Sequence, residues 1–516
     1  MTVQRHMAGK IFFVLTFLAF ASVILASSQP PLLRDFCDWV FQGTLFAKTL
    51  AGHPVAGYAL KHYPVPNSIT TLGLALLTLA FGWMWAAKLW LIAYLAMAMA
   101  TTFFVARVFK PQSSVWWALP AVLFFGQTFW YATISFSMGA CLLLLLACFL
   151  YKQQERPATI AGFLLACFFT HLIIYAAAGV MILLYCIQHR RWRLTYIGLA
   201  TLPLPLWYFA GRSLSHSRET ALGYSPPWHL AITAAVAALV LLVALIRPQR
   251  ALSRKIAPLL SVSVAILLLA ALFSAMVPES QLAPKLLSAS RLLRLKALAP
   301  FQLFGFVNII YDPNARPLLS ATFTLLRRPL FIALMLLDFA VGLAFMCCIA
   351  RQMLIVRDGA DPDHRSSAGP NAARFLWDFV ALFSLLYLVC PPNALGMISI
   401  DLRLAQLALG PALFLFATTE ARGPVARASR VLRWASVPAI LLAGASLYQF
   451  AVSQRRVQIP GTDTGLHSQL AAFGAVDPIA IADEYERLRT GKLEGFIFAT
   501  GLFIQTLAQP VDSVSR

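Results

Sequence analysis

Two carboxylates, Asp35 and Asp38, stand in the stretch from Pro31 to Asn67, the first long polar break in a chain that is otherwise mostly hydrocarbon. If this stretch folds as a helix, steps of about 100° per residue place Asp35, Asp38, Gln42 and Thr49 in one narrow stripe. Leu33, Phe36, Cys37, Val40, Ala47 and Ala51 fall on the opposite side, so the helix would lie on a membrane surface with its apolar face pressed into lipid or protein. A carboxylate in a partly desolvated cleft has its pKa raised toward working pH, which suits it to take a proton from a bound hydroxyl. The competing reading is a helix N-cap or a surface charge. Asp35 follows Pro31 closely enough to be that cap, which tilts the base assignment toward Asp38.

The rest of the chain must position these groups in a bilayer. With 516 residues, 60% of them hydrophobic and only 12% charged, and a mean hydropathy of +0.74, the composition excludes a soluble globule, whose charged fraction is about a quarter. It predicts an all-α, polytopic membrane protein. The net charge of +21 comes from 41 Lys and Arg against 20 Asp and Glu. In a soluble protein that excess would suggest nucleic acid; here the cations fall in short clusters between apolar runs, as the positive-inside rule requires of cytoplasmic loops, so no nucleic-acid partner is expected. The eight cysteines show no metal-ligand spacing, and most lie inside apolar runs as small hydrophobes.

Sidedness follows from the basic clusters. Arg107 with Lys110, Lys152 with Arg156, Arg190 with Arg191 and Arg193, Arg247 to Lys255, Arg351 to Arg374, and Arg422 to Arg433 read as cytoplasmic. With the N-terminus inside, the stretch from Pro31 to Asn67 lies outside. Outer turns then fall near Trp130 to Ser137, near Thr170 and His171, across Gly211 to Trp228, and from Cys390 to Arg403. Residues 67–106 offer two apolar pieces where the sidedness allows an odd number of crossings. Either one piece, split near Lys88, crosses incompletely, or Arg107 and Lys110 face outward; the first reading gives about 13 spans of the usual ~20-residue length. The domain plan is a transmembrane domain over 1–452, with outer loops at 31–66 and 278–320, and a small external appendage over 453–516. Within the second loop, Ala283 to Leu298 is an amphipathic basic segment, carrying Lys285, Arg291, Arg294 and Lys296, that would attract anionic headgroups.

Several site types are missing from the sequence. No Walker A or GxGxxG loop feeds a helix, and there is no HExxH, GxSxG or haem-attachment motif. ATP-driven transport and ordinary hydrolase chemistry are thereby disfavoured. Ionisable groups within the spans are few, chiefly His171, Asp338 and Lys88, which counts against a proton-coupled transporter and favours a site at the outer face.

A first helix, an outer surface helix with an early acidic residue (RDFCDW), the LKHYPVPNS approach to the next span, many short hairpins and the late outer turn PPNALGMISIDLRL together resemble the GT-C superfamily of integral-membrane glycosyltransferases. The resemblance covers roughly residues 10 to 450 as architecture. It implies a polyprenyl-phosphate-linked sugar donor, a glycan, lipid or protein acceptor, and an outer-face site in which an acidic residue of the first loop acts on the acceptor, a role that falls here to Asp38 or Asp35. Members often carry a second acidic residue in the next outer loop; here that loop reads YATISFSMG, with Ser135 and Ser137 and no carboxylate. This departs from a metal-dependent version, so no cofactor is expected, a divalent cation remaining the alternative. An arginine whose fork grips phosphate oxygens suits the opposite side of the reaction. Arg403 is the first candidate, ahead of Arg316, Arg291 and Arg294; its competing role is a salt bridge to Asp401. His62, Tyr63, His171 and Gln42 are candidate substrate contacts, although a lone histidine beside an apolar run is more often a packing residue. The implied location is a bacterial inner membrane with the site and the C-terminal tail on the outer side. Two other classes stay open: a polyprenyl-lipid or polysaccharide transporter, and a polymerase or ligase acting on lipid-linked glycans.

Overall fold

The computed structural model describes residues 2–26, 36–53, 58–109, 129, 133–214, 227–246, 256, 374–390, 400–418 and 504–506. They are helical almost throughout. In chain order the elements are α1 (Thr2–Ala26), α2 (Phe36–Leu50), β1 (Tyr58–Leu60), α3 (Ser68–Phe81), α4 (Trp83–Phe109), α5 (Ile134–Tyr151), α6 (Pro157–Thr170) and α7 (Leu172–His189). After a single 3₁₀ turn at Trp192–Leu194 come α8 (Thr195–Thr201), α9 (Pro203–Leu214), α10 (Pro227–Ile246), α11 (Arg374–Val389), α12 (Ile400–Thr418) and β2 (Ile504–Thr506). Among the described residues, three helices, Trp83–Val108 of α4, α5 and α7, are long and apolar enough to cross a membrane, and the chain fits a membrane protein.

The one departure from helix among the described residues is an antiparallel pairing of β1 with β2, which sets Tyr58 opposite Thr506 and Leu60 opposite Ile504. It joins the tail to the end of the first polar stretch. The rest of 453–516, and the whole of 278–320, lie outside the described residues.

Contacts between side chains set the level of each helix. Tyr94 of α4 hydrogen-bonds Ser137 near the start of α5. Phe104 stacks on Phe149 near the end of α5, with centroids 5.9 Å apart, so α4 and α5 run in the same direction. α3 runs back along α4, with Gly73 against the Trp90 ring, and its Thr70 hydroxyl is 2.6 Å from that of Ser135. The start of α3 is therefore level with the start of α5, and the α3–α4 turn lies beyond both. At about 1.5 Å per residue the 14 residues of α3 reach only ~21 Å, short of a ~30 Å hydrocarbon layer, whereas the 27 of α4 reach ~40 Å.

Two sequence expectations change here. The break between the two apolar pieces falls at Gly82, not near Lys88. Gly82 has φ 78°, a conformation that glycine adopts without the Cβ clash other residues meet. Lys88 is instead inside α4 and buried, with its ammonium donating to the Leu25 carbonyl at 3.2 Å and lying 5.0 Å from the Trp85 ring centre. The second change concerns α2, expected as an amphipathic surface helix with Gln42 on its polar stripe. Gln42 and Thr44 are buried, and so are Val40, Leu45, Phe46 and Ala47. Both sides are covered because α3 and α4 each pack against α2.

That packing leaves no space at Gly43, where a Cβ would stand 2.6 Å from the Leu74 Cβ. Gly43→Val should force α2 off α3 and destabilise the protein by about 1–3 kcal/mol, the usual cost of overpacking. A lowered unfolding midpoint of the detergent-purified variant is the expected result, and an unchanged midpoint would refute so close an approach.

Candidate functional site

Three turns separated in sequence meet at one end of the bundle. α5 starts at Ile134, His171 sits alone between α6 and α7, and Arg403 lies in the first turn of α12. His171 ends one helix and starts the next because its extended backbone, φ −169° and ψ 132°, cannot continue α6. Its Nδ1 then accepts the Ile173 backbone N–H at 3.1 Å and caps α7. That bond satisfies one of the amide donors every helix start leaves without an intrahelical partner. With Nδ1 accepting, the proton of the neutral ring is on Nε2.

Phe136 joins the turns. Its ring meets the His171 ring edge-on at 5.3 Å, and the Arg403 guanidinium lies 5.8 Å from its centre. Contact with a ring attracts the cation through the π-face and uses none of its N–H donors. His171 is buried and lies outside both neighbouring helices; burial first, and the Arg403 charge second, hold its pKa well below the ordinary 6.5. The imidazole is thus a neutral group beside a cation. Next along α5, Ser135 bonds Thr70, and α3 carries α2. A continuous chain of contacts therefore runs from the helix that bears Asp38 to the Arg403 guanidinium.

The other expected site residues are distributed as follows. Asp38 is the third residue of α2, one turn before the buried Gln42. Asp35, Arg291, Arg294 and Arg316 lie outside the described residues. His62 is exposed and Tyr63 half-buried. Tyr63 packs on α9, with its ring 6.2 Å from Tyr208 and against Gly211, while the Lys61 ammonium lies 5.6 Å from the ring centre. These residues line the neighbourhood of α9. Among the described residues no group of three or more His, Cys, Asp or Glu is placed to hold a metal ion.

The opposite end of the bundle holds a second polar cluster that the sequence reading passed over. Tyr185 donates to Glu155 at 2.7 Å, and Glu155 pairs with Arg191 at 3.3 Å. Gln188 donates to Asp378, whose side chain is buried within α11. Arg374 stands one turn before Asp378, and an Arg and an Asp four apart in an otherwise apolar helix were the available signal. Lys152, Arg156, Arg190, Arg191 and Arg193 form an exposed basic rim around this end.

No protein-family model, curated protein or solved structure matches the chain.

A histidine whose pKa is lowered by folding must bind its proton in the unfolded chain first, so His171 draws down stability as pH falls below the unfolded value of about 6.5. Above that value its contribution is constant. The unfolding midpoint should decline between about pH 6.5 and 5, and less steeply in His171→Gln. Equal slopes in the two proteins would show that His171 is not buried in neutral form.

Proposed function

We propose that the chain is a GT-C-like membrane glycosyltransferase that moves a sugar from a polyprenyl-phosphate donor to an acceptor hydroxyl. In this reading Asp38, or Asp35, takes the hydroxyl proton as the acceptor oxygen attacks the anomeric carbon. The bond from that carbon to the phosphate oxygen breaks on the opposite face, its electron pair leaving with the lipid phosphate and the configuration inverting. Arg403 supplies charge to the departing phosphate, and the neutral His171 ring, protonated on Nε2, supplies a hydrogen-bond donor without a second full charge.

The observation that carries this reading is the meeting of Arg403, His171 and Phe136 at turns that the basic clusters assign to the outer face, with an unbroken line of packing back to α2. The pairing of β2 with β1 supports a tail on the same side as the first outer loop. That side would be the outer face of a bacterial inner membrane, with the N-terminus cytoplasmic. Transport, the competing class, needs a polar route between the two ends. Among the described residues the layer between them holds Leu143, Leu144, Ala147, Ala177, Ala178 and Met181, all buried and apolar, beside the two buried hydroxyls of Thr101 and Thr102.

Cells with and without the protein should differ in one glycolipid or glycan product. In cells carrying Asp38→Asn that product should fall by about 10²–10⁴-fold, the usual range for a lost general base, with the variant still folded and still bound to lipid. Arg403→Gln should weaken donor use in parallel. Undiminished product from Asp38→Asn removes that residue as the base.

A further inference from the structure

We propose that the basic end of the bundle contains a phosphate-oxyanion site built on the side chain of Arg374. Its Nε and Nη2 are both shielded from solvent and have no hydrogen-bond partner. These two nitrogens form one side-on fork of the guanidinium, the geometry that accepts two oxygens of a single anion. Leaving two charged donors buried and unmade costs more than forming their bonds returns, so an arrangement that shields the fork implies a group to fill it.

The surroundings select the class of ligand. Phe375, the next residue, packs edge-on against Tyr185 at 5.3 Å and against His189 at 6.4 Å, which brings the end of α7 to the start of α11. His189 Nε2 is likewise shielded and without a partner. Gln188 spends its amide donor on Asp378, so Asp378 is held by the neighbouring helix. The carboxylate of Glu155 is similarly occupied by Tyr185 and Arg191. The exposed cations Arg156, Arg190, Arg191 and Arg193 add an attractive field at the mouth. A fork, an imidazole nitrogen and a basic rim fit a phosphate group, either the phosphodiester of an anionic phospholipid whose headgroup lies at the level of these helix ends or a free phosphate. The site is at the opposite end from Arg403, and nothing in it depends on sugar transfer.

The test uses the full-length protein in a zwitterionic detergent, titrated in separate arms with phosphatidylglycerol, phosphatidylcholine and inorganic phosphate, read by thermal shift and native mass spectrometry. Wild type should be stabilised by phosphatidylglycerol and not by phosphatidylcholine. Arg374→Gln should bind phosphatidylglycerol about ten- to a hundred-fold more weakly, the loss expected of a charge-assisted pair of bonds. Arg374→Lys keeps the charge without the fork and should also lose affinity; it carries the test alone if the glutamine variant does not fold. Stabilisation by inorganic phosphate with the same Arg374 dependence supports the site and identifies its ligand as soluble. Equal binding by wild type and Arg374→Lys overturns the proposal, as does a wild type indifferent to both phosphatidylglycerol and phosphate.

Discussion

Hydrocarbon offers no hydrogen bonds, and every polar group in the bundle is arranged around that fact. While Thr70 and Ser135 bond each other across helices, other hydroxyls turn back on their own backbones: Thr44 donates to Val40 and Thr102 to Ala98. Each satisfies itself without needing a neighbouring helix. Charged groups have no such local option, since one carbonyl does not repay the desolvation of an ion. Among the described residues they lie toward the two ends, and between them the helices are held chiefly by close apolar packing. The division into two polar zones follows from the solvent before any function is considered.

The same constraint explains why the zone at the His171 end has the form it does. Lys88 is buried in α4 with its ammonium on the Leu25 carbonyl of α1. That contact also fixes where α4 stands relative to α1. α3 is shorter than a hydrocarbon layer is thick, and its turn at Gly82 lies beyond the start of α5. The α3–α4 hairpin thus presents a protein surface beyond the start of α5, and α2 packs onto it. In the proposed reaction this surface supports the helix that bears Asp38.

How far the sequence revealed this depended on what each signal measures. Basic clusters report which loops share a side, and three turns assigned to one side, at Phe136, His171 and Arg403, do meet. Amphipathic spacing reports only that two faces of a helix differ. It does not show that α3 and α4 both pack against α2, and so it puts Gln42 on a polar stripe although Gln42 is buried. Lys88 drew attention as the charge in an apolar run, but a lysine next to a helix end is tolerated, whereas the chain reversal needs the positive φ of Gly82. Asp378 was passed over because the run RFLWDFVALFSLLYLV is dominated by its apolar residues. Its partner, Gln188, is 190 positions away, a separation at which no local pattern carries information.

Arg403 and Arg374 show how one residue type takes opposite forms in the two zones. Arg403 is near a helix start, beside a turn, with its charge against the Phe136 ring. A ring attracts a cation through its π-face without supplying acceptors. Arg374 has one side of its fork shielded and without a protein partner, beneath a rim of exposed cations. A fork of that kind is rigid and planar, and it rewards a ligand that stays more than one that passes through. A structural anion is served by this second arrangement, which is the physical reason for placing a resident phosphate at the Arg374 end.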